Sequence, residues 1–327
     1  MDGELYNYKP ARRAHSRVGL AMTVIILAAT VGQVLWVLIP SEDSWMVASS
    51  WGFWLGSFLP LYVLAMPLGF LILKTLPAQA PEEHKLPGSA LYVLIPVMLF
   101  FTISGNLVGT GLSGILSNGN AENAVETYAS DSNPIKIVFL VILAPILEEL
   151  LCRKLIIDRT RQYGEKLAVV FSGFVFGVFH QNFFQFFYAF TLGMLLAYVY
   201  IRTGRLRYCI LLHGGLNLWG GIIPSLFQPL LDSEAYQIVL EGTASEAEFL
   251  AAYQEIQPAV ALSNMYSMAT IGLAIAGAVL LFIKRKELVW KDAECELPDR
   301  RIRTAYLNVG MIVYILLCAG SFVLALM

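Results

Sequence analysis

The sequence predicts an all-α, polytopic membrane protein of about nine transmembrane helices, with eight as the alternative. Three observations lead there. The 327 residues are 57% hydrophobic and 14% charged, whereas soluble domains carry roughly 25% charged residues. Apolar runs of about twenty residues, the length that crosses a bilayer, recur along the chain. The basic residues are sorted to alternate connections between those runs. The net charge of −2 says nothing about nucleic acid; the apolar composition makes the lipid bilayer the expected partner, and no nucleic acid is expected.

In order, the runs fall at 18–39, 51–75, 90–117, 135–157, 167–182, 184–202, 208–231, 263–283 and 305–327. The first is long enough to span and reads as an uncleaved anchor rather than a signal peptide. The fifth and sixth are short and almost abut at Gln181 and Asn182, hence the alternative count of eight. Trp36, Trp51 and Trp54 read as interfacial belt residues. With the N-terminus inside, every Lys and Arg but Lys136 falls at or beside an inner connection. The outer loops 40–50, 118–134 and 232–262 hold eleven of the 24 acids and no Lys or Arg. The positive-inside rule then puts the N-terminus in the cytoplasm and the C-terminus outside, as in an integral protein of a prokaryotic plasma membrane.

The connections read as a Pro-rich inner linker (76–89), a flexible outer loop (118–133), an acidic outer segment (232–258) and a charged inner link (284–303). Within the acidic segment, EAEFLAAYQEI has a helical pattern suited to an interfacial or lid-like helix. No internal repeat is visible. Cys152, Cys209, Cys295 and Cys318 form no CxxC pair and none falls in an outer loop, so no disulfide is expected. The organisation expected is a three-span region (1–134), a core of spans four to seven (135–231) and a two-span C-terminal region behind the acidic loop (232–327).

The core carries the unusual residues. PILEELLCR (145–153) puts Glu148, Glu149 and Arg153 inside the fourth run. A carboxylate in hydrocarbon costs on the order of 3 kcal/mol by insertion scales, so two adjacent ones need a partner, water or a task. Residues four apart share a helix face and neighbours diverge by about 100°. Glu149 therefore pairs with Arg153, while Glu148 faces elsewhere and is left for chemistry. The other reading, a structural ion pair fixing helix register, explains Glu149 but not Glu148. His180 (in FGVFHQN) and His213 (in LLHGGLN) are the two histidines within spans. Each has an i, i+4 companion, Phe176 and Asn217. Taken singly, either His is more simply a satisfied interhelical hydrogen bond. Cys152 reads as packing, since no His shares its helix, and Phe176 as packing that orients His180. Gly173 and Gly177, with Gly214, Gly215, Gly220 and Gly221, allow close helix approach, and a four-helix core would bring all these side chains together.

EELLCR (148–153), FGVFH (176–180) and HGGLN (213–217) resemble, in order and at similar gaps, the EExxxR, FxxxH and HxxxN motifs of the CAAX-protease and bacteriocin-processing (CPBP or Abi) family. The resemblance spans residues 135–222. It implies an intramembrane endopeptidase acting on a membrane-associated peptide or a lipidated, CAAX-type protein. On that pattern Glu148 activates a water with His180 assisting, and His213 and Asn217 hold the water or the oxyanion, with Glu149 and Arg153 completing the motif. The chemistry is consistent: peptide hydrolysis needs a base near neutral pKa, and burial moves carboxylates that way. Preorganised donors are also needed where negative charge develops. His180, His213 and Glu148 also make a donor set for zinc with water in the open position, although the chain has no HExxH. In this chain Cys152 stands at the usual Phe of the motif and Lys154 at the usual Gly. Two other function classes compete. One is a transporter or proton-relay protein, since buried Glu, His and Arg build relays; the lack of a repeated half argues against many carrier folds. The other is a non-catalytic immunity or scaffold member of the same family.

Overall fold

A computed structural model describes residues 6–327, and among the described residues all regular structure is helical. We label the helices α1 (Lys9–Leu38), α2 (Ser50–Lys74), α3 (Gly88–Ser117), α4 (Ala124–Ser130), α5 (137–160), α6 (Glu165–Phe179), α7 (Phe183–Thr203), α8 (Leu206–Leu231), α9 (Glu234–Glu241), α10 (Glu246–Lys284) and α11 (Val309–Leu324). Each of the nine apolar runs coincides with one helix. Six described helices are long and apolar enough to cross a bilayer: α1, α2, α3, α7, α8 and α10. The other three differ for identifiable reasons. α5 carries Glu148, Glu149, Arg153, Lys154, Asp158 and Arg159, and α6 and α11 have only 15 and 16 residues.

Two local expectations give way. Trp54 is wholly buried, stacked on Phe58 and Phe139 at 5.6 and 6.1 Å, so it is core rather than belt. The EAEFLAAYQEI segment is no separate lid. A capping box at Ser245 and Glu248 starts a single 39-residue helix there, which rises about 58 Å and continues directly into the eighth apolar run. The Pro-rich stretch 76–87 is a linker, as expected, and it lies as a strap across the helix ends on the basic side. The Gln79 amide donates to the Asp158 carbonyl at 2.6 Å and the His84 amide to that of Thr203 at 2.8 Å. Gly204 (φ +63°) passes so close to Glu82 that a Cβ would lie 2.5 Å from its carbonyl oxygen.

The GxxxG of α6 does what its small residues allow. A Cβ at Gly173 would sit 2.6 Å from Met194 and 2.8 Å from the Phe190 carbonyl oxygen, so α6 and α7 touch backbone to backbone there. Gly215, in contrast, faces open space. Overpacking such a contact costs about 1–3 kcal/mol. Gly173→Val should lower the thermal unfolding midpoint in detergent by several degrees, whereas Gly215→Ala leaves it unchanged.

Candidate active site

The site begins with a helix that is wider than usual. Residues 137–143 and 150–157 of α5 are π-helical, flanking an α-helical turn at Ala144–Glu149. The Ala144 amide donates back five residues to the Phe139 carbonyl. In that register the next donor, to the Leu140 carbonyl, would be residue 145, and Pro145 has no N–H. The orphaned carbonyl is satisfied from another helix: Asn217 Nδ2 donates to it at 2.8 Å. Gly214, one turn earlier on α8, lies where a Cβ would approach the Val141 carbonyl oxygen to 2.8 Å. A missing donor, an amide and a glycine together dock α8 on α5.

The turn after Pro145 separates the two carboxylates. Glu149 is wholly buried. It takes the Arg153 guanidinium at 2.8 Å through Nε and 3.2 Å through Nη2, and its Oε1 accepts from His213 Nδ1 at 3.0 Å. Arg153, also wholly buried, donates through Nη1 to Ser172 Oγ at 2.9 Å, and Ser172 donates on to the Cys152 carbonyl at 2.9 Å. Glu148 points away from this network, into a cavity of about 690 Å³ that Phe176, His180, His213 and Asn217 also line. His213 Nε2 lies 3.9 Å from Glu148 Oε2. That is too long for a hydrogen bond and is a span that one water bridges.

The histidine tautomers follow from their partners. His180 Nδ1 is 2.9 Å from the Phe176 carbonyl. A carbonyl only accepts, so Nδ1 carries the proton and Nε2 keeps its lone pair. By the same reasoning His213 Nδ1 carries a proton toward the Glu149 carboxylate. The Phe176 ring is the hub between them. It meets the rings of His180 and His213 edge-on at 4.9 and 5.7 Å, and the Arg153 guanidinium lies 5.1 Å from its centroid. His180 itself ends α6. Its carbonyl accepts from Asn182 at 2.7 Å, and Gln181 turns the chain through the left-handed region at φ +59°.

Glu148, Phe176, His180, His213 and Asn217 thus meet in one cavity, although simple helix rise sets His180 about 12 Å farther than His213 from the basic end of its apolar run. Glu149 and Arg153 stand behind its wall. The i, i+4 pairing was legible, but the Glu149–His213 bond, Ser172 and the Leu140 carbonyl were not. Cys152 is buried in the core, and all four cysteines are free. Lys154 pairs with Asp158 at 3.0 Å, away from the cavity.

Residues 130–219 match the family profile described as Rce1-like, type II CAAX prenyl endopeptidase. The motif resemblance to the CAAX-protease family is borne out. The match covers about a quarter of the chain, from the end of α4 to just beyond Asn217, so it takes in every cavity residue named above. It supports a membrane peptidase of the CAAX type. No curated protein and no solved structure matches the chain significantly. In this CAAX-protease-like region the zinc alternative finds no support. Among the described residues no three His, Cys, Asp or Glu side chains are grouped to hold a metal ion. The Phe176 ring lies between the two histidine rings, at 4.9 and 5.7 Å.

The docking geometry carries a prediction. Asn217→Ala leaves the Leu140 carbonyl unpaired at a cost of about 1–3 kcal/mol, and Pro145→Ala supplies a backbone N–H for it. In detergent, Asn217→Ala should lower the unfolding midpoint, and the double variant with Pro145→Ala should recover most of the loss. Equal losses in both backgrounds would dissociate Asn217 from the proline break.

Proposed function

We propose that the chain is an intramembrane endopeptidase that hydrolyses a peptide bond of a membrane-associated protein or peptide, with Glu148 as the base that activates water. The observation that carries this is the split of the carboxylate pair: Glu149 is held by Arg153 and His213, and Glu148 alone faces the cavity and the two histidines. A water held between Glu148 and His213 Nε2 gives its proton to Glu148 as its oxygen adds to the scissile carbonyl. His180 Nε2, a free lone pair on the same cavity, assists by accepting from that water. His213, held at Nδ1 by the Glu149 carboxylate, turns its Nε2 to the cavity, where in the protonated ring the Nε2–H donates to the developing oxyanion. When the tetrahedral intermediate collapses, Glu148 returns the proton to the leaving nitrogen, so the products are a carboxylate and an amine. Asn217 fixes α8, and hence His213, against α5. The basic face, where the Lys and Arg gather, is cytoplasmic on this reading, and the core of spans four to seven acts as one catalytic unit.

The test is cleavage by purified protein in detergent, using a prenylated CAAX-type reporter and a panel of membrane peptides. Glu148→Gln should lower kcat/KM by about 10²–10⁴-fold, the usual weight of a general base. His180→Ala and His213→Ala should each reduce it, and Cys152→Ala should leave it near wild type. Undiminished cleavage by folded Glu148→Gln would remove that carboxylate from the chemistry.

A further inference from the structure

Among the described residues, the lining of the cavity holding Glu148 extends toward one side of the molecule. Its lining includes Gln33 near the end of α1, Ser57 in the first half of α2, Tyr128 on α4, and Gln181 and Asn182 in the α6–α7 turn. Each of these lies toward the helix ends joined by the acidic, Lys- and Arg-free loops. No lining residue comes from the connections that carry the basic residues.

The path from Glu148 to the basic face is filled. Leu151, Cys152, Ile156 and Ile157 are wholly buried directly below it. Beneath them the Tyr200 hydroxyl donates to Asp158 at 2.9 Å, and Arg159 Nε donates to the Leu73 carbonyl at 2.6 Å. The 76–87 strap then crosses these helix ends. A second layer follows, with the Cys295 amide bonded to the Gln162 carbonyl at 3.0 Å and that of Leu297 to Tyr163 at 3.2 Å.

The lining has a consistent chemistry. Between the mouth and the histidines it offers neutral amides and hydroxyls, and among the described residues Glu148 is its sole carboxylate and no Lys or Arg lines it. Such groups donate to and accept from an extended backbone, and they provide no counter-charge for a charged side chain.

We infer that the site is loaded from the acidic face. Its substrate is a membrane-attached polypeptide whose cleavable segment is uncharged, extended and presented on that outer side, rather than the C-terminal tail of a cytoplasmic protein. This rests on the peptidase reading of the same cavity, and it narrows the substrate class.

The chain carries its own reference for the test. Cys295 is exposed on the basic face, and Cys152, Cys209 and Cys318 are buried. Ser57→Cys and Gln185→Cys each place a thiol on the cavity lining, and the full-length variants are labelled with a membrane-impermeant maleimide in sealed right-side-out and inverted vesicles. The expected result is opposite sidedness: the introduced thiol reacts in the orientation where Cys295 is silent, and Cys295 reacts in the other. Two variants guard against one failing to fold, and the folded one is that in which the introduced thiol and Cys295 react after detergent solubilisation while the buried Cys152, Cys209 and Cys318 do not. Reaction on the same side as Cys295, or on neither side before detergent, overturns the inference.

A second arm adds an impermeant, uncharged membrane-peptide substrate to wild-type and Glu148→Gln vesicles. Cleavage confined to vesicles with the acidic face outward supports the inference, and cleavage from the basic side overturns it. Cleavage that does not depend on Glu148 sinks the peptidase reading while leaving the sidedness result standing, so the two failures are distinguishable.

Discussion

The arrangement hangs on one buried ion pair. Arg153 and Glu149 are both wholly buried, and removing one partner of such a pair costs about 3–5 kcal/mol because the other charge is left uncompensated. Every group that completes the pair comes from a different helix. Ser172 and the Phe176 ring reach it from α6 and His213 from α8. The desolvation of two charges is therefore offset only when three helices are in place together. The orientation of both histidines follows, one through the Glu149 carboxylate and the other through the Phe176 ring and carbonyl.

The backbone of α5 adds a second constraint of the same kind. Pro145 and the π-helical register leave the Leu140 carbonyl without a donor, and a buried carbonyl in an apolar setting has to be satisfied. Asn217 does so from α8. The ion pair and the proline break lie about two turns apart, and both are completed by the same stretch of α8, His213 to Asn217. That stretch is consequently fixed at both ends, which is what a reacting histidine requires.

What could be read from the sequence was what a single helix encodes. The i, i+4 spacing placed Glu149 on Arg153 and freed Glu148, and the small residues of α6 marked its contact with α7. The order of the three motifs marked the shared site. What could not be read was set between helices or by register. No spacing rule links Glu149 to His213 across 64 positions, or Asn217 to a backbone carbonyl. Trp54 looked interfacial because it lies close to a helix end, yet Phe58 and Phe139 enclose it. The acidic outer segment looked like a separate helix because hydropathy falls at Glu255 and Gln257, but a helix needs no change of backbone to pass from water to lipid.

The unequal lengths of the outer helices bear on the lipid itself. The apolar part of α10, residues 260–283, rises about 36 Å, and the 16 residues of α11 about 24 Å. These bracket the roughly 30 Å of hydrocarbon in a typical bilayer, and mismatch is met by tilt or by local changes in thickness. A flat annulus of lipid cannot match both flanks. Tilt of the longer helix and local thinning beside the shorter are the two ways a bilayer meets such unequal flanks, so the lipid boundary around this protein need not be level.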